Sequence, residues 1–252
     1  MLEILDYMQV AVYNVNILGV AMRKFIMMSL IAALIAGCGG GGLIRPRVEK
    51  GIKNALPQYI GPAKEYTVRA DGSTTDMLNG LIGQLHIEGT DVQIDPNLLL
   101  SNLWVDMIEV RYNTSREVTS VKETKLGATV SESVVNKYIE LSRKGEDNLS
   151  VEFEPGKVLV KFVPNVAGVN IAVTVSGKPE IVGGNKVNFV ADSGSVARVP
   201  MPAYLVNKIL DRMNPILDMS VLKFPVSLSK ITINAKSVLV EGSAEFKPVV
   251  GD

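Results

Sequence analysis

Few side chains in this 252-residue chain are equipped for covalent chemistry, and the scarcest are the thiol and the imidazole. Cys38 is the only cysteine and His86 the only histidine. One thiol allows no internal disulfide and no multi-thiolate metal centre, and one imidazole excludes metal sites built on two or more histidines. A Ser-His-Asp relay would have to run through His86. That residue lies in GQLHIEGTDVQI, where Leu85, Ile87, Val92 and Ile94 predict a hairpin that turns His86 to its polar face. Asp192, Ser193 and Ser195 in VADSGSVARV lack the Gly-x-Ser-x-Gly elbow of a nucleophilic serine. RADGSTTD and GGNK are glycine turns without phosphate-loop spacing. Glu152 and Glu154 alternate along one strand face, the ordinary pattern of solvated acids. These residues predict no enzyme, no metal and no cofactor.

Cys38 remains, and its setting gives its thiol a task. It stands between an apolar run and four glycines in FIMMSLIAALIAGCGGGG, Phe25 to Gly42. The run Phe25–Ala36 has twelve residues, and a transmembrane helix needs roughly 20. Arg23 and Lys24 before it, and small residues at its end, make the pattern of a secretory leader. Ile35-Ala36-Gly37-Cys38 resembles the lipobox of bacterial lipoproteins, in which the cysteine is acylated and becomes the new N-terminus. Residues 1–37 are therefore expected to be a cleaved signal peptide, and 38–46 a lipidated tether whose glycines give it reach. MLEILDYMQVAVYNVNILGVA carries two acids and no base, so Met22 is the better start; an unusually long leader is the alternative. Gly39 is not the inner-membrane retention aspartate of enteric bacteria, which favours an outer membrane where the cell has one, with the protein on its periplasmic or outer face.

Charge points away from nucleic acid. The chain has 26 bases and 26 acids; without Arg23, Lys24, Glu3 and Asp6 the segment from Cys38 retains 24 of each. A neutral protein lacks the basic field that phosphate backbones require.

The elements of the remaining segment, read as one domain over 47–252, are mostly strands. RPRVEKGIKNALPQYIGPA repeats Val48, Ile52, Leu56 and Ile60 every fourth residue, and Pro57 and Pro62 predict that this helix is short. Tyr66 and Val68, then Leu126, Ala128 and Val130, alternate with polar residues. LSVEFEPGKVLVKFVP predicts a hairpin about Pro155-Gly156. GVNIAVTVSGKPEIVGGNKVNFVA predicts turns at Ser176-Gly177 and at Gly183-Gly184-Asn185. Ile231, Ile233, Val238, Val240 and Ala244 close the series. Two helices interrupt it. SESVVNKYIELSRK is capped by Ser131; PAYLVNKILDRMNPILDMS begins near Pro202 and ends or kinks at Pro215. Both contain Val-Asn-Lys after an Ala-x-Val strand end, a hint of repeated strand-helix units.

This pattern predicts an α+β fold: a long, strongly curved antiparallel sheet wrapped around two main helices and enclosing an apolar groove. The expected lining is Val134, Val135, Tyr138 and Ile139 on the first helix and Leu205, Val206, Ile209, Leu210 and Met213 on the second. Val160, Phe162, Ile171 and Val173 on the strands complete it. Pattern alone leaves a filled core and an open groove equally compatible. Trp104, in LLLSNLWVDMIEVRY with Met107 and Ile108, suits either a groove rim at a bilayer or a core position under a helix.

The order of these features resembles the LmeA-like phospholipid-binding family of bacterial envelope proteins, from about Gly51 to Phe246. The resemblance is carried by LNGLIGQLHIEGTDVQID, LLLSNLWVDMIEVRYN, VSESVVNKYIEL, the VEFEPGKVLVKFVP hairpin and the closing FPVSLSKITINAKSVLVEGSAEF. It implies a fold like the tubular lipid-binding domains and a phospholipid or glycolipid partner at a membrane. In actinobacterial relatives it implies envelope glycolipid maturation; this chain departs from the family's usual signal peptide or single membrane anchor in its lipoprotein start. The expected function is a lipid-anchored envelope protein that binds an amphiphile, in transfer or envelope maintenance. The alternatives are an assembly lipoprotein with a filled core that docks another envelope protein, and a hydrolase with His86 beside a serine and an acid.

Overall fold

The computed structural model describes residues 44–96, 98–113, 118–142, 149–163, 165–166, 168–221 and 225–245. Cys38 and the apolar run before it lie outside them. The first described element is a helix, α1 (Ile44–Tyr59), which begins inside the stretch assigned above to the tether. Its fourfold repeat is a buried stripe: Val48, Ile52 and Leu56 are at most 2 % exposed. Pro57 does not cut it short but sits in the last turn, where only one helical hydrogen bond is forfeited.

The stripe covers a hairpin sheet. β1 (Ala63–Asp71) leads through the one-turn helix α2 (Thr74–Leu78) to β2 (Leu81–Asp95) and β3 (Leu98–Tyr112). Ser73 caps α2 by accepting the Asp76 N–H at 3.0 Å. The hairpin expected within GQLHIEGTDVQI is absent; β2 is one strand of 15 residues. Its buried positions run Leu85, Ile87, Gly89 and then Val92, Ile94, so the parity shifts by one. β3 shifts at the facing rungs, from Leu100 to Leu103 and again from Met107 to Val110. Asp91 (φ 50°) and Glu109 (φ 51°) stand at two of these shifts. A single left-handed residue rotates the strand about its axis, which keeps one side of a long strand facing the core as it twists. A residue-by-residue alternation read from sequence cannot distinguish that from a turn.

After the short β4 (Val118–Ser120), β5 (Glu123–Ser131) pairs with β3 and runs directly into α3 (Glu132–Ser142). The Ser131 hydroxyl accepts the Val134 N–H at 3.4 Å, so the expected cap is formed. The chain then leaves the first sheet. β6 (Ser150–Glu154) and β7 (Lys157–Phe162) form the hairpin at Pro155-Gly156, with Gly156 at φ 80°. A two-stranded ribbon, β8 (Asn165–Val166) and β9 (Val169–Asn170), precedes β10 (Val173–Val182) and β11 (Lys186–Val196). Ser176-Gly177 is not a turn: β10 passes through it, and the register slips there against β11. A Cβ on Gly177 would strike the Val190 carbonyl, so the glycine serves close strand approach. β12 (Val199–Pro200), α4 (Ala203–Met213), β13 (Leu217–Asp218) and a 3-10 turn (Met219–Val221) follow. Asn214–Pro215 is cis. β14 (Val226–Asn234) and β15 (Ser237–Ala244) return to the first sheet, β15 beside β5.

Two open antiparallel sheets therefore stand where one long sheet was expected, with four helices among the described residues. The first has order β1-β2-β3-β5-β15-β14, with β4 on β3; the second has order β12-β11-β10-β7-β6, with β13 on β11. They do not merge because the outer edge of β6 bonds to α3 instead of to another strand. They meet through β14, which crosses the turn end of the second sheet. The Leu228 N–H donates to the Gly184 carbonyl at 2.6 Å, and the Gly156 N–H to the Ile233 carbonyl at 3.0 Å. The core falls into three clusters: under α1 and the first sheet, between α4 and the second sheet, and around β13 and β14.

Candidate functional site

The residues expected to line a groove divide between two of these clusters. Tyr138 and Ile139 are buried with the first sheet, and half-buried Val134 packs beside them. Phe162, Val173, Val206 and Leu210 are buried in the second cluster, with Val160 against it. Val135 touches both, as do Leu149, Val151 and Val238. Ile171 and Leu205 are half-buried and belong to none of the three clusters. Ile209 and Met213 are residues of α4 whose side chains lie outside the described set. The structure thus splits the expected lining: α3 packs mainly with the first sheet, α4 with the second, and of α3 only half-buried Val135 reaches the cluster that holds Val206 and Leu210.

α3 is fixed in place by polar groups that the sequence reading missed. The Asn136 side chain accepts the Val151 N–H at 2.7 Å and donates to the Val151 carbonyl at 2.8 Å. The Glu132 carboxylate accepts the Phe153 N–H at 2.6 Å and pairs with the Lys236 ammonium at 2.9 Å. The Lys236 N–H donates to the Phe153 carbonyl at 3.2 Å. Every one of these bonds satisfies an edge group of β6 or ties it to the β14–β15 turn, which is how an exposed strand edge is kept from pairing with another chain. The bond from Lys236 holds the Glu132 carboxyl below its ordinary pKa against the opposing effect of burial, and the Phe153 amide and the Lys236 charge add to it. Glu152 is lowered in the same way by Lys161.

An amide clamp of the same form recurs at the other helix, displaced from where the Val-Asn-Lys repeat would put it. Asn207 is exposed. Asn214, just past α4, accepts the Phe189 N–H at 2.7 Å and donates to its carbonyl at 3.0 Å. The short sequence match signals two helices seated by asparagine; it does not mark equivalent positions.

The other singled-out residues lie on the first sheet. His86 takes the polar face as expected, with Nδ1 2.6 Å from the Asp106 carboxylate and Nε2 3.9 Å from that of Glu88. An acid stands beside the histidine, but its partners are carboxylates on an open sheet face, and no serine hydroxyl joins them among the described hydrogen bonds. Met107 is core, while Trp104 projects from the opposite face to Leu103 and Val105. Its indole lies over Gly127, where a Cβ would come within 2.5 Å of it. Trp104 thus lies on the sheet face away from the core that Tyr138 and Ile139 of α3 join. Tyr66 is buried, donates to the Gly61 carbonyl at 2.8 Å, and has its pKa pushed up to about 12 by burial.

No helix among the described residues is long and apolar enough to cross a membrane. No curated protein and no solved structure matches the chain. The family model described as LmeA-like phospholipid-binding matches residues 36–243, spanning both sheets and the four helices among the described residues, and the chain belongs to that family.

Proposed function

We propose that this is a lipid-anchored cell-envelope protein that holds a phospholipid, or a related amphiphile such as a glycolipid, along an apolar seam between α3, α4 and the second sheet. Membership of a phospholipid-binding family carries the reading. The packing supports it: residues of both helices lie on apolar strands, and Ile171 and Leu205 remain only half-buried. In this reading the sheets curl about α3 and α4 enough to form a groove. Each acyl methylene withdrawn from water contributes about 0.8 kcal/mol, so about ten of them bind without any catalytic group. Cys38 carries the anchor, residues 1–37 are removed, and the domain from residue 47 onward works close to the bilayer, in lipid transfer or envelope maintenance.

Native mass spectrometry of the gently purified full chain tests this, together with uptake of a fluorescent phospholipid from vesicles. Co-purified lipid and saturable uptake are expected. A chain that carries no lipid and takes none up is instead a packed assembly lipoprotein. The bonded outer edge of β6 removes that one strand edge from such docking.

A further inference from the structure

The end of the second sheet remote from β14 collects apolar side chains that are exposed among the described residues. β10 begins there, β11 ends there, and the β11–β12 turn is tied to the β9–β10 link by the Ala197 N–H donating to the Ala172 carbonyl at 2.7 Å. α4 starts at the same end, since the Met201 N–H donates to the Gly194 carbonyl at 2.8 Å and Val206 packs over Gly194. Val169, Val199 and Tyr204 are 61 %, 66 % and 64 % exposed. They account for half of the six large apolar side chains exposed among the described residues, gathered by three separate segments at one tip.

The charges nearest these apolar side chains are cationic, and the acids Asp192 and Asp211 lie just outside them. From Phe162 to Gly177 the chain carries no ionisable side chain, and from Ser193 to Leu210 its only charges are Arg198 and Lys208. Both cations are without an ion-pair partner among the described residues, although most lysines on the sheets have one. Tyr204 and Lys208 are one helical turn apart on α4 and both exposed. Aliphatic side chains with a tyrosine and unpaired cations are the composition of a surface that sits at the headgroup level of a bilayer.

The turn itself is strained. Ala197 and Arg198 have φ of 49° and 68°, a conformation that glycine or asparagine adopts at less cost. Strain retained at a solvent-exposed turn points to a use for the side chain it presents.

From these observations we infer that this tip docks on a lipid bilayer bearing anionic phospholipid, with Val169, Val199 and Tyr204 entering the interface and Arg198 and Lys208 at the headgroups. It deepens the lipid-binding reading by giving the seam a place to face the membrane. It is separate from anchoring through Cys38, which fixes the chain to a membrane without orienting it.

A site-specific probe tests it in the full chain. Cys38→Ser is combined with one new thiol, Val199→Cys or Tyr204→Cys at the tip, or Val182→Cys at the opposite end of β10 as control. Each is labelled with an environment-sensitive fluorophore. On equimolar phosphatidylcholine–phosphatidylglycerol vesicles the tip labels should brighten severalfold and the control should not. Arg198→Gly, which relieves the turn, should leave the melting temperature unchanged or higher and weaken vesicle partitioning about fivefold, as expected for one interfacial cation. Silent tip labels, an equal response at position 182, or an equal response on pure phosphatidylcholine overturns the proposal. So does a dimer in solution that Val199→Ser dissolves. Lipid uptake with silent tip labels leaves the binding reading standing and removes only the docking surface; tip insertion without uptake does the reverse.

Discussion

Glu132 and Lys236 are 104 residues apart in sequence and 2.9 Å apart in space, and their contact joins the start of α3 to the β14–β15 turn. The same carboxylate takes the Phe153 amide of the second sheet, so one acid holds three segments together.

Acidification should therefore loosen this junction. The Glu132 pKa is lowered in the folded protein, first by the Lys236 bond. A depressed carboxyl stabilises the fold fully above its unfolded pKa, and the contribution disappears as pH falls through the folded value. Melting temperatures measured from neutral pH downward should show wild type above Glu132→Gln at neutral pH, with the gap closing below the ordinary glutamate range. A gap independent of pH contradicts the assignment.

Asn136→Ala leaves both main-chain groups of Val151 without their side-chain partner. The cost expected is about 1–3 kcal/mol, or a melting temperature lower by about 2–10 °C. Asn214→Ala should behave alike at Phe189, because the two clamps make the same pair of bonds. Asn207→Ala, at the exposed position of the sequence repeat, should change stability by less than about 0.5 kcal/mol. Equal effects at 207 and 214 would refute the distinction.

Gly127→Ala places a methyl group against the Trp104 indole and should displace the ring into solvent. Trp104 is the only tryptophan, so its emission reports on this site alone and should move to longer wavelength. The associated destabilisation should be about 1–3 kcal/mol. An unshifted spectrum would mean that the ring does not cover the glycine.

Leu205→Trp tests the seam. Leu205 is half-buried and outside the packed clusters, so a larger ring there is tolerated more readily than in the core. Under the lipid reading it should lower phospholipid uptake severalfold with little change in melting temperature. Leu210→Ala, buried, should lower stability by about 2–5 kcal/mol instead. Unchanged uptake in Leu205→Trp would move the lipid elsewhere.

Much of the architecture was legible because burial leaves a periodic trace. The fourfold stripe of α1, the Ser131 cap, the Pro155-Gly156 turn and the apolar sides of α3 and α4 each depend on residues close in sequence, where 3.6- and 2-residue periods act directly. Glycine was less legible. It marks a turn at Gly183-Gly184 and a close strand contact at Gly177, and only the Val190 carbonyl across the sheet separates the two uses. The long β2 mimics a hairpin in sequence because the left-handed residue at Asp91 shifts its alternation as a turn would. By itself, then, the sequence determined the α+β class, the strand-rich order, the family and the absence of a strongly charged character. Tertiary structure alone decided that β6 bonds to Asn136 and Glu132, which makes two sheets of one expected. It also decided that Val169, Val199 and Tyr204 share a tip. Both are pairings across long stretches of chain, set by edge hydrogen bonding and packing geometry, for which no local period exists to be read.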